Sequence, residues 1–439
     1  MIRSLKELSL ITGAALFVFI VSEVIFLFFT PRSEILQLIT LYGAMSITYL
    51  LIYDEIGGFK LSALFAIFIR GLAWLSFPEL SDDIYRFIWD GAVTLDGANP
   101  YIHAPAQYLE EHSYRPFSGL YPLLNSPEYY SVYPPVVQFI SAIGALAAND
   151  VYMSSLLIKT PLFIAEIGTI WMLPGILTNL KLNPRLSLFY YFNPLIIVDV
   201  LANAHFEILT IFLVLFCIRS LQRNEPLKAG AALALAAGTK LLPILFLPFL
   251  LKAIPASHRL KFATASIIGF ALIMFPMWSL ETLTFFMTSV DLYFRHFEFN
   301  ASVYYLARTI GEWMVGYNPI HIIGPLLGLV TAAAALFLWI RQKANLNSAM
   351  DAILILLTVY LFNSTTVHPW YISMVLLFGL LTQRAYPIIW TLVCVVSYSA
   401  YRTDIYSEDL WLIALEYAVL IAAMTIPQIK QRLFSSALK

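Results

Sequence analysis

Long apolar runs are the feature of this sequence that most limits how the chain can fold. Several of them reach the roughly 20 residues that an α-helix needs to cross a bilayer. Of the 439 residues, 60% are hydrophobic and 12% are charged, whereas an ordinary soluble domain carries about 25% charged residues. The sequence therefore predicts an all-α fold, a polytopic transmembrane helical bundle with about 11–14 membrane segments.

The candidate membrane segments are spread along the chain, which we interpret as one integral-membrane domain, residues 1–439. They lie at 9–29, 35–53, 61–77, 136–148, 151–177, 186–203, 206–219, 229–251, 262–280, 320–340, 349–363, 371–383, 386–402 and 410–427. Segment 229–251 has basic loops at both ends, which one straight span cannot satisfy. A break into two half-helices near Gly238 to Pro243 would resolve this. The first run is too long for a signal-peptide core, so we expect it to be retained.

Basic residues predict the orientation, because short cytoplasmic loops are enriched in Lys and Arg. With the basic clusters in the cytoplasm, loops 78–135, 281–318, 364–370 and 403–409 fall on the opposite side. Only the first is long, and its many aromatic residues predict helices that lie at the membrane interface. The net charge of −1 carries no information about partners, whereas the lack of a basic patch predicts no nucleic-acid partner. The two cysteines lie in apolar segments and predict no disulfide framework.

Charged residues directly follow an apolar run in the stretch SDDIYRFIWDGAVTLDGANPY, residues 81–101. Ser81 is a good N-cap, which would place Asp82 and Asp83 in a first helical turn, where acids complement the helix dipole. In this interpretation Asp82, Arg86 and Asp90, each four apart, form an ion-paired helix face. In a second interpretation, an acid fixed at the bilayer surface takes a proton from an incoming hydroxyl group. The stretch alone leaves both open.

The pattern DDIYRFIWDG…G-NPY resembles the signature of the GT-C glycosyltransferases, specifically the bacterial polyprenol-phosphate-dependent mannosyltransferases. It is similar, more distantly, to the catalytic subunit of GPI mannosyltransferase I. Four more stretches match that group in the same order, and a further stretch, FEFNASVYYL from 297, is a weaker match. The four are VYPPVVQFI from 132, FNPLIIVDVLANAHFE from 192, AAGTKLLPILFLP from 236 and TTVHPWY from 365.

This resemblance implies an inverting glycosyltransferase, with mannose as the expected sugar. It implies a polyprenyl-phosphate sugar donor and an acceptor hydroxyl on a glycan or glycolipid. The reaction would take place on the extracytoplasmic face of a bacterial inner membrane. An aspartate of the first long outer loop is the expected general base, either Asp82 or Asp83, and Asp82 aligns with the first Asp of the eukaryotic motif. No cofactor is expected, and a divalent metal ion stays open.

Several residues are candidates for binding the substrates. Lys240 lies in an otherwise apolar segment, which favours a role at the donor phosphate, although a lysine at a half-helix end can also snorkel to the surface. Arg86 is a second candidate for the phosphate, as is the pair Arg295 and His296 in the second outer loop. The other predicted substrate-binding residues are Trp89, Asp90, Asn99, Tyr101, Tyr133, His205, Glu207, Asn300, His368, Trp370 and Tyr371.

Two other functions involve the same lipid-linked sugars. A transporter or flippase usually has internal repeats and charges near the middle of the membrane, whereas the acids of this chain cluster in one outer loop. An O-antigen ligase or polymerase relies on Arg and His in a large late loop, whereas the acidic loop here comes early. We therefore interpret the sequence as that of a transferase.

Overall fold

A computed structural model of the chain describes residues 10–55, 59–111, 119–295, 297–403 and 406–427. Within these ranges the fold consists of helices and connecting turns, and β-type pairing is limited to an isolated bridge between Phe299 and Thr366. The predicted all-α polytopic bundle is confirmed. The helices of the first half are α1 (Leu10–Phe29), α2 (Ile35–Glu55), α3 (Phe59–Leu75), α4 (Asp83–Leu95), α5 (Pro105–Glu111), α6 (Pro135–Ala145), α7 (Val151–Asn179), α8 (Leu188–Tyr191) and α9 (Glu207–Gln222).

The second half continues with ten helices in the described part of the chain. They are α10 (Pro226–Thr239), α11 (Leu247–Ala253), α12 (Ala256–Met274), α13 (Leu280–Arg295), α14 (Val303–Val315), α15 (Ile320–Arg341), α16 (Leu346–Asn363), α17 (Ile372–Leu381), α18 (Tyr386–Val393) and α19 (Leu410–Thr425). Short 3₁₀ turns lie at Tyr121–Leu123, Pro184–Ser187, Leu242–Phe246, Phe275–Met277, Pro369–Tyr371 and Cys394–Tyr401, and a π-helical turn lies at Leu195–Leu201.

Six helices in the described ranges are long and apolar enough to cross a membrane, which identifies the chain as an integral membrane protein. α12 and α15 bury little of their apolar surface inside the bundle, as expected for helices that contact lipid. The number of shorter helices that also cross stays a prediction. The six lie at Leu10–Phe29, Ile35–Tyr53, Val151–Asn179, Ala256–Met277, Ile320–Arg341 and Leu346–Asn363.

The predicted break in segment 229–251 is confirmed. Helix α10 ends at Thr239, and Lys240 takes an extended backbone conformation with φ −148° and ψ 133°. A 3₁₀ turn then contains Pro243, which has no backbone N–H to donate, before α11 continues the chain. The break therefore places the single lysine of this segment at the junction of two half-helices.

The candidate membrane segment at 186–203 is not one continuous helix. A 3₁₀ turn, the short α8 and the π-helical turn follow one another, and Asn193 and Pro194 interrupt them. Every residue from 186 to 208 is buried. Irregular backbone at membrane depth is tolerated when protein surrounds it, and this segment lies at the centre of the bundle.

Helix α4 carries the acidic stretch and is packed into the bundle. Ile84, Phe87 and Trp89 are buried along it. Gly91 allows close contact with α6, since a Cβ atom at this position would collide with the Ser141 carbonyl. The start of α4 differs from the prediction, because Asp82 is the N-cap residue and the helix begins at Asp83. Tight packing along its length holds the two acids in a defined place.

Candidate active site

A cavity of about 830 Å³ lies beside the N-terminus of α4. Its wall is formed by residues from the first outer loop, the broken segment 226–253, the start of α9 and the loops before α14 and α17. Aromatic side chains make up much of the wall, with polar groups converging between them. The charged residues and histidines on it are Arg32, Asp82, Asp83, Arg86, His205, Glu207, Lys240, Glu298 and His368.

Asp82 is held by an ion pair that the sequence analysis did not predict. Its carboxylate oxygen Oδ2 accepts a 3.0 Å hydrogen bond from Arg32, which also donates to the Leu80 carbonyl at 3.3 Å. The Arg32 guanidinium lies 4.6 Å from the centre of the Tyr401 ring. The Asp82 carboxylate makes no capping hydrogen bond to α4. Arg32 therefore orients the Asp82 carboxylate towards the cavity, and helix capping does not explain this orientation.

Asp83 has a different environment from its neighbour. Burial raises the pKa of the Asp83 carboxyl above its ordinary value, and the negative charge of Asp82 raises it further. Lys240 opposes this shift, as do hydrogen bonds with Tyr133 and Asn125. Asp83 and Lys240 both line the cavity, so the loop 78–135 and the broken segment meet there.

Lys240 is engaged on two sides. Its ammonium group forms an ion pair with Glu207 at the start of α9. The same group lies 4.5 Å from the centre of the Tyr371 ring, a distance suited to a cation–π contact. The Lys240 side chain is 36% exposed, whereas Glu207 is 6% exposed. Lys240 thus presents a positive charge to the cavity from a fixed position.

Four rings form a continuous stack along the cavity wall. The His205 and Trp370 rings lie 3.7 Å apart, and the Trp370 and His368 rings lie 4.3 Å apart. Phe299 stacks on the far side of His368 at 4.7 Å. Phe299 is tied to the following loop by backbone hydrogen bonds, from its N–H to the Thr365 carbonyl and to its carbonyl from the Val367 N–H. The ring stack (His205, Trp370, His368 and Phe299) therefore joins three of the sequence stretches that carry the resemblance.

Arg86 lies on the cavity but is largely occupied. It forms a 2.7 Å ion pair with Asp90 and donates to the carbonyls of Ser126 and Tyr129. The ion-paired helix face is therefore found for Arg86 and Asp90, without Asp82. Atom Nη2 of Arg86 is buried and has no hydrogen-bond partner among the described residues. Arg86 thus fixes the loop that bears Tyr129.

Not all the predicted substrate-binding residues lie on the cavity. Those that line it are Tyr133, His205, Glu207, Lys240, His368, Trp370 and Tyr371, together with Arg86. The cavity lining does not include Trp89, Asp90, Asn99, Tyr101 or Asn300.

The residues off the cavity have partners elsewhere. Asn99 donates to the Met277 carbonyl and to Thr282, and Tyr101 donates to the Tyr133 carbonyl. Trp89 is fully buried against Tyr121. Asn300 contacts Glu416 and, through its backbone N–H, Glu408. These contacts fix the loops around the cavity.

Two other predicted residues cannot be placed. The Arg295 side chain and the whole of His296 lie outside the described residues.

The structure also brings residues to the cavity that were not predicted. Arg32 is the one that the sequence could have indicated, because an arginine in a loop predicted to be short and outside the cytoplasm runs against the usual distribution of basic residues. Glu298 lies on the wall, paired with Arg308. Tyr398 is on the wall and donates a 2.6 Å hydrogen bond to the buried Asp199. In the part of the chain that the structure describes, no group of three or more His, Cys, Asp or Glu residues is placed to hold a metal ion.

Comparison with known proteins supports one class of activity. Residues 41–256 match the family described as alpha-(1->6)-mannopyranosyltransferase, N-terminal domain. This confirms the predicted resemblance to bacterial mannosyltransferases of the GT-C type and supports a mannosyl-transfer activity. No curated protein and no solved structure gives a significant match to the chain. The matched range includes the acid pair, the His205–Glu207 turn and Lys240.

Proposed function

We propose that this chain, with its match to the mannopyranosyltransferases, moves a mannosyl group from a polyprenyl-phosphate donor to a hydroxyl group of a glycan or glycolipid. The observation that supports it most is the arrangement of charges around one cavity. A carboxylate pair lies on one wall, and a cation in a broken membrane segment lies close enough to affect the pKa of Asp83. A transferase for an anionic lipid donor needs both groups around one reacting centre.

We assign the role of general base to Asp82. One of its oxygens is held by Arg32, and among the described residues no contact engages the other oxygen. A base whose orientation is fixed by a third group is a recurring catalytic arrangement. Asp83 instead accepts hydrogen bonds from Tyr133 and Asn125. Asp82 thus keeps a free lone pair for the acceptor proton, and Asp83 shapes the wall beside it.

The proposed transfer is a single displacement. Asp82 takes the proton of the acceptor hydroxyl while the acceptor oxygen bonds to the anomeric carbon of the mannose. The bond between that carbon and the phosphate oxygen breaks on the opposite face, so the configuration inverts and polyprenyl phosphate leaves. Lys240 stabilises the negative charge that grows on the leaving phosphate, as a fixed cation does in other enzymes. The ring stack provides a largely apolar wall against which the sugar can pack.

The proposed reaction takes place on the extracytoplasmic side of a bacterial inner membrane, because the basic loops sort to the other side. Single cysteines at the exposed positions Leu123 and Lys228, in a chain with Cys217 and Cys394 replaced, would test this. Leu123→Cys is expected to react with a membrane-impermeant thiol reagent in intact cells, and Lys228→Cys only after lysis. Reaction of Lys228→Cys alone in intact cells would mean that the orientation is opposite to the one proposed.

The activity itself is tested by product analysis. The purified protein is given polyprenyl-phosphate-mannose and candidate acceptors, and the release of polyprenyl phosphate is followed together with the acceptor mass. The proposal expects acceptor-dependent release and a gain of one hexose. A flippase would move the donor across a vesicle membrane without releasing polyprenyl phosphate, and that outcome would refute the transferase.

A further inference from the structure

Lys159 is a buried cation inside a membrane helix for which the proposed reaction has no direct use. It lies in α7, and its side chain is fully buried. No carboxylate among the described residues lies within ion-pair distance of its ammonium group. A charged residue is costly at this depth, so its presence calls for a specific role.

The hydrogen bonds of Lys159 join two separate segments. Its ammonium group donates to the carbonyls of Ala73 and Ser76, at the end of α3, the first at 3.1 Å. It also donates to the Ala202 carbonyl at 3.5 Å. The α3 end leads directly into the acid pair, and Ala202 directly precedes the turn that bears His205 and Glu207.

Asn203 makes a second connection between the same two segments. Its Oδ1 accepts a 2.8 Å hydrogen bond from the Leu80 N–H, two residues before Asp82. Its Nδ2 donates to the carbonyls of Val198 and Asp199, at 3.1 Å each. The backbone from 76 to 82 is not helical, so its orientation depends on such side-chain contacts.

The turn after Asn203 is itself under strain. Ala204 has a φ of +59°, a left-handed conformation that a residue with a Cβ atom rarely adopts. Such strain persists only where surrounding contacts enforce it. Here the His205 N–H bonds back to the Val200 carbonyl at 2.9 Å, and the turn directs His205 into the cavity. Both segments joined by Lys159 and Asn203 therefore end in cavity residues.

We propose that Lys159 and Asn203 form a positioning clamp, which sets the distance between the acid pair and the His205–Glu207 turn. The clamp touches no substrate and acts through the backbone of residues 73–80 and 198–203. Its role in turnover rests on the proposed function, whereas its effect on geometry does not. Misplacement of a catalytic group by about 1 Å can lower a rate by about 10²-fold.

The kinetic test uses Lys159→Met, which keeps the length of the side chain and removes its donors. We expect kcat to fall about 10–100-fold, with little change in the donor KM, because Lys240 lies outside the clamp. Lys159→Gln, whose side-chain amide can still donate, should have a kcat between those of wild type and Lys159→Met. Tyr152→Phe is the matched control, because the Tyr152 hydroxyl on the same helix donates to the Leu75 carbonyl but, among the described residues, makes no bond to the segment 198–203. It should keep wild-type kcat.

Asn203→Leu tests the other half of the clamp. It should also lower kcat with little change in the donor KM. The double variant with Lys159→Met should lose less kcat than the product of the two single losses. Wild-type kcat in folded Lys159→Met and Asn203→Leu would overturn the clamp. So would an equal loss in Tyr152→Phe.

A distance measurement separates the clamp from the proposed activity. Spin labels at the exposed positions Leu95 on α4 and Phe216 on α9, with the native cysteines replaced, report how the two segments lie relative to each other. The distance distribution is expected to broaden or shift in Lys159→Met or Lys159→Gln and to stay unchanged in Tyr152→Phe. An unchanged distribution in both Lys159 variants refutes the clamp whatever the activity. A shifted distribution in a chain that transfers no sugar refutes only the proposed function.

Discussion

The Arg70–Glu166 and Lys240–Glu207 ion pairs both lie inside this bundle, and they differ in what surrounds them. In the Arg70–Glu166 pair both side chains are 0% exposed. Arg70 also donates to the carbonyls of Tyr190 and Tyr191, and Glu166 accepts from the Tyr190 hydroxyl. In the Lys240–Glu207 pair the lysine is 36% exposed, and it faces a cavity.

The difference indicates what each pair does. The buried Arg70–Glu166 pair joins α3, α7 and α8, which suits a group that holds helices together. Lys240 contacts Glu207 and Tyr371 and still has access to the cavity. A charge that is fixed but left accessible is suited to a ligand. Exposure at a cavity, more than the presence of an intramembrane charge, therefore distinguishes the pair to which we assign a role in ligand binding.

The largest expected effect is on the stability of the protein, through the sealed pair (Arg70 and Glu166). Arg70→Met leaves Glu166 buried without its cation, which should lower the free energy of unfolding by about 3–5 kcal/mol. Thermal unfolding in detergent is the measurement. The double variant Arg70→Met/Glu166→Met should recover part of the loss, because the uncompensated charge is gone. A single variant as stable as wild type would show that the pair does not hold the bundle together.

The next largest effect is on the transfer activity, through the open pair (Lys240 and Glu207). Lys240→Met should lower transfer by about 10²–10³-fold, the range for loss of one group that stabilises charge in a transition state. Lys228→Met is the matched control, since Lys228 pairs with Glu225 on the surface at the other end of α10. The double variant Lys240→Met/Glu207→Met should stay inactive, in contrast to the recovery in the sealed pair. Restored activity there would place Lys240 among the structural residues.

A smaller effect is expected for Asp83, on stability as a function of pH. Since its folded-state pKa is raised, its stabilising contribution is present at low pH and is lost as pH rises through that pKa. Asp83→Asn removes the penalised charge and should raise the midpoint of thermal unfolding by about 1–3 °C at neutral pH. The gain should disappear below about pH 4, where the wild-type carboxyl is protonated in both states. Glu128→Gln, at an exposed position of the same loop, should show no such gain. A lower midpoint for Asp83→Asn at neutral pH would contradict the cause assigned to the shift.

The sequence was most informative where a residue conflicts with its surroundings. The basic loops at both ends of segment 229–251 predicted a break near Gly238 to Pro243, and the break is confirmed. The lysine in this apolar run predicted a role for Lys240 at the donor phosphate. The same rule applied to Lys159 would have found it, but a single lysine in the 29 residues of α7 did not disturb the apolar pattern.

Partners distant in sequence were beyond prediction. Arg32 meets Asp82 across 50 residues, and no local pattern encodes that contact. Trp89 and Tyr101 were predicted at the substrate as members of the pattern that carries the resemblance, yet aromatic residues suit a buried core equally well. Which side chains reach the cavity depends on how α4 and the turn after it pack against the rest of the bundle, and tertiary packing decides this.

The central claim is that Asp82 accepts the proton of the acceptor. The most direct measurement compares the turnover of purified Asp82→Asn with that of Asp96→Asn, which lies at the other end of α4, off the cavity, where it accepts from Tyr108. Asp82→Asn should lose about 10²–10⁴-fold in rate, the range for loss of a general base, and should bind the donor as wild type does. Asp96→Asn should remain active. Near-normal turnover of Asp82→Asn, with its folding and donor binding intact, would contradict the assignment of Asp82 as the base.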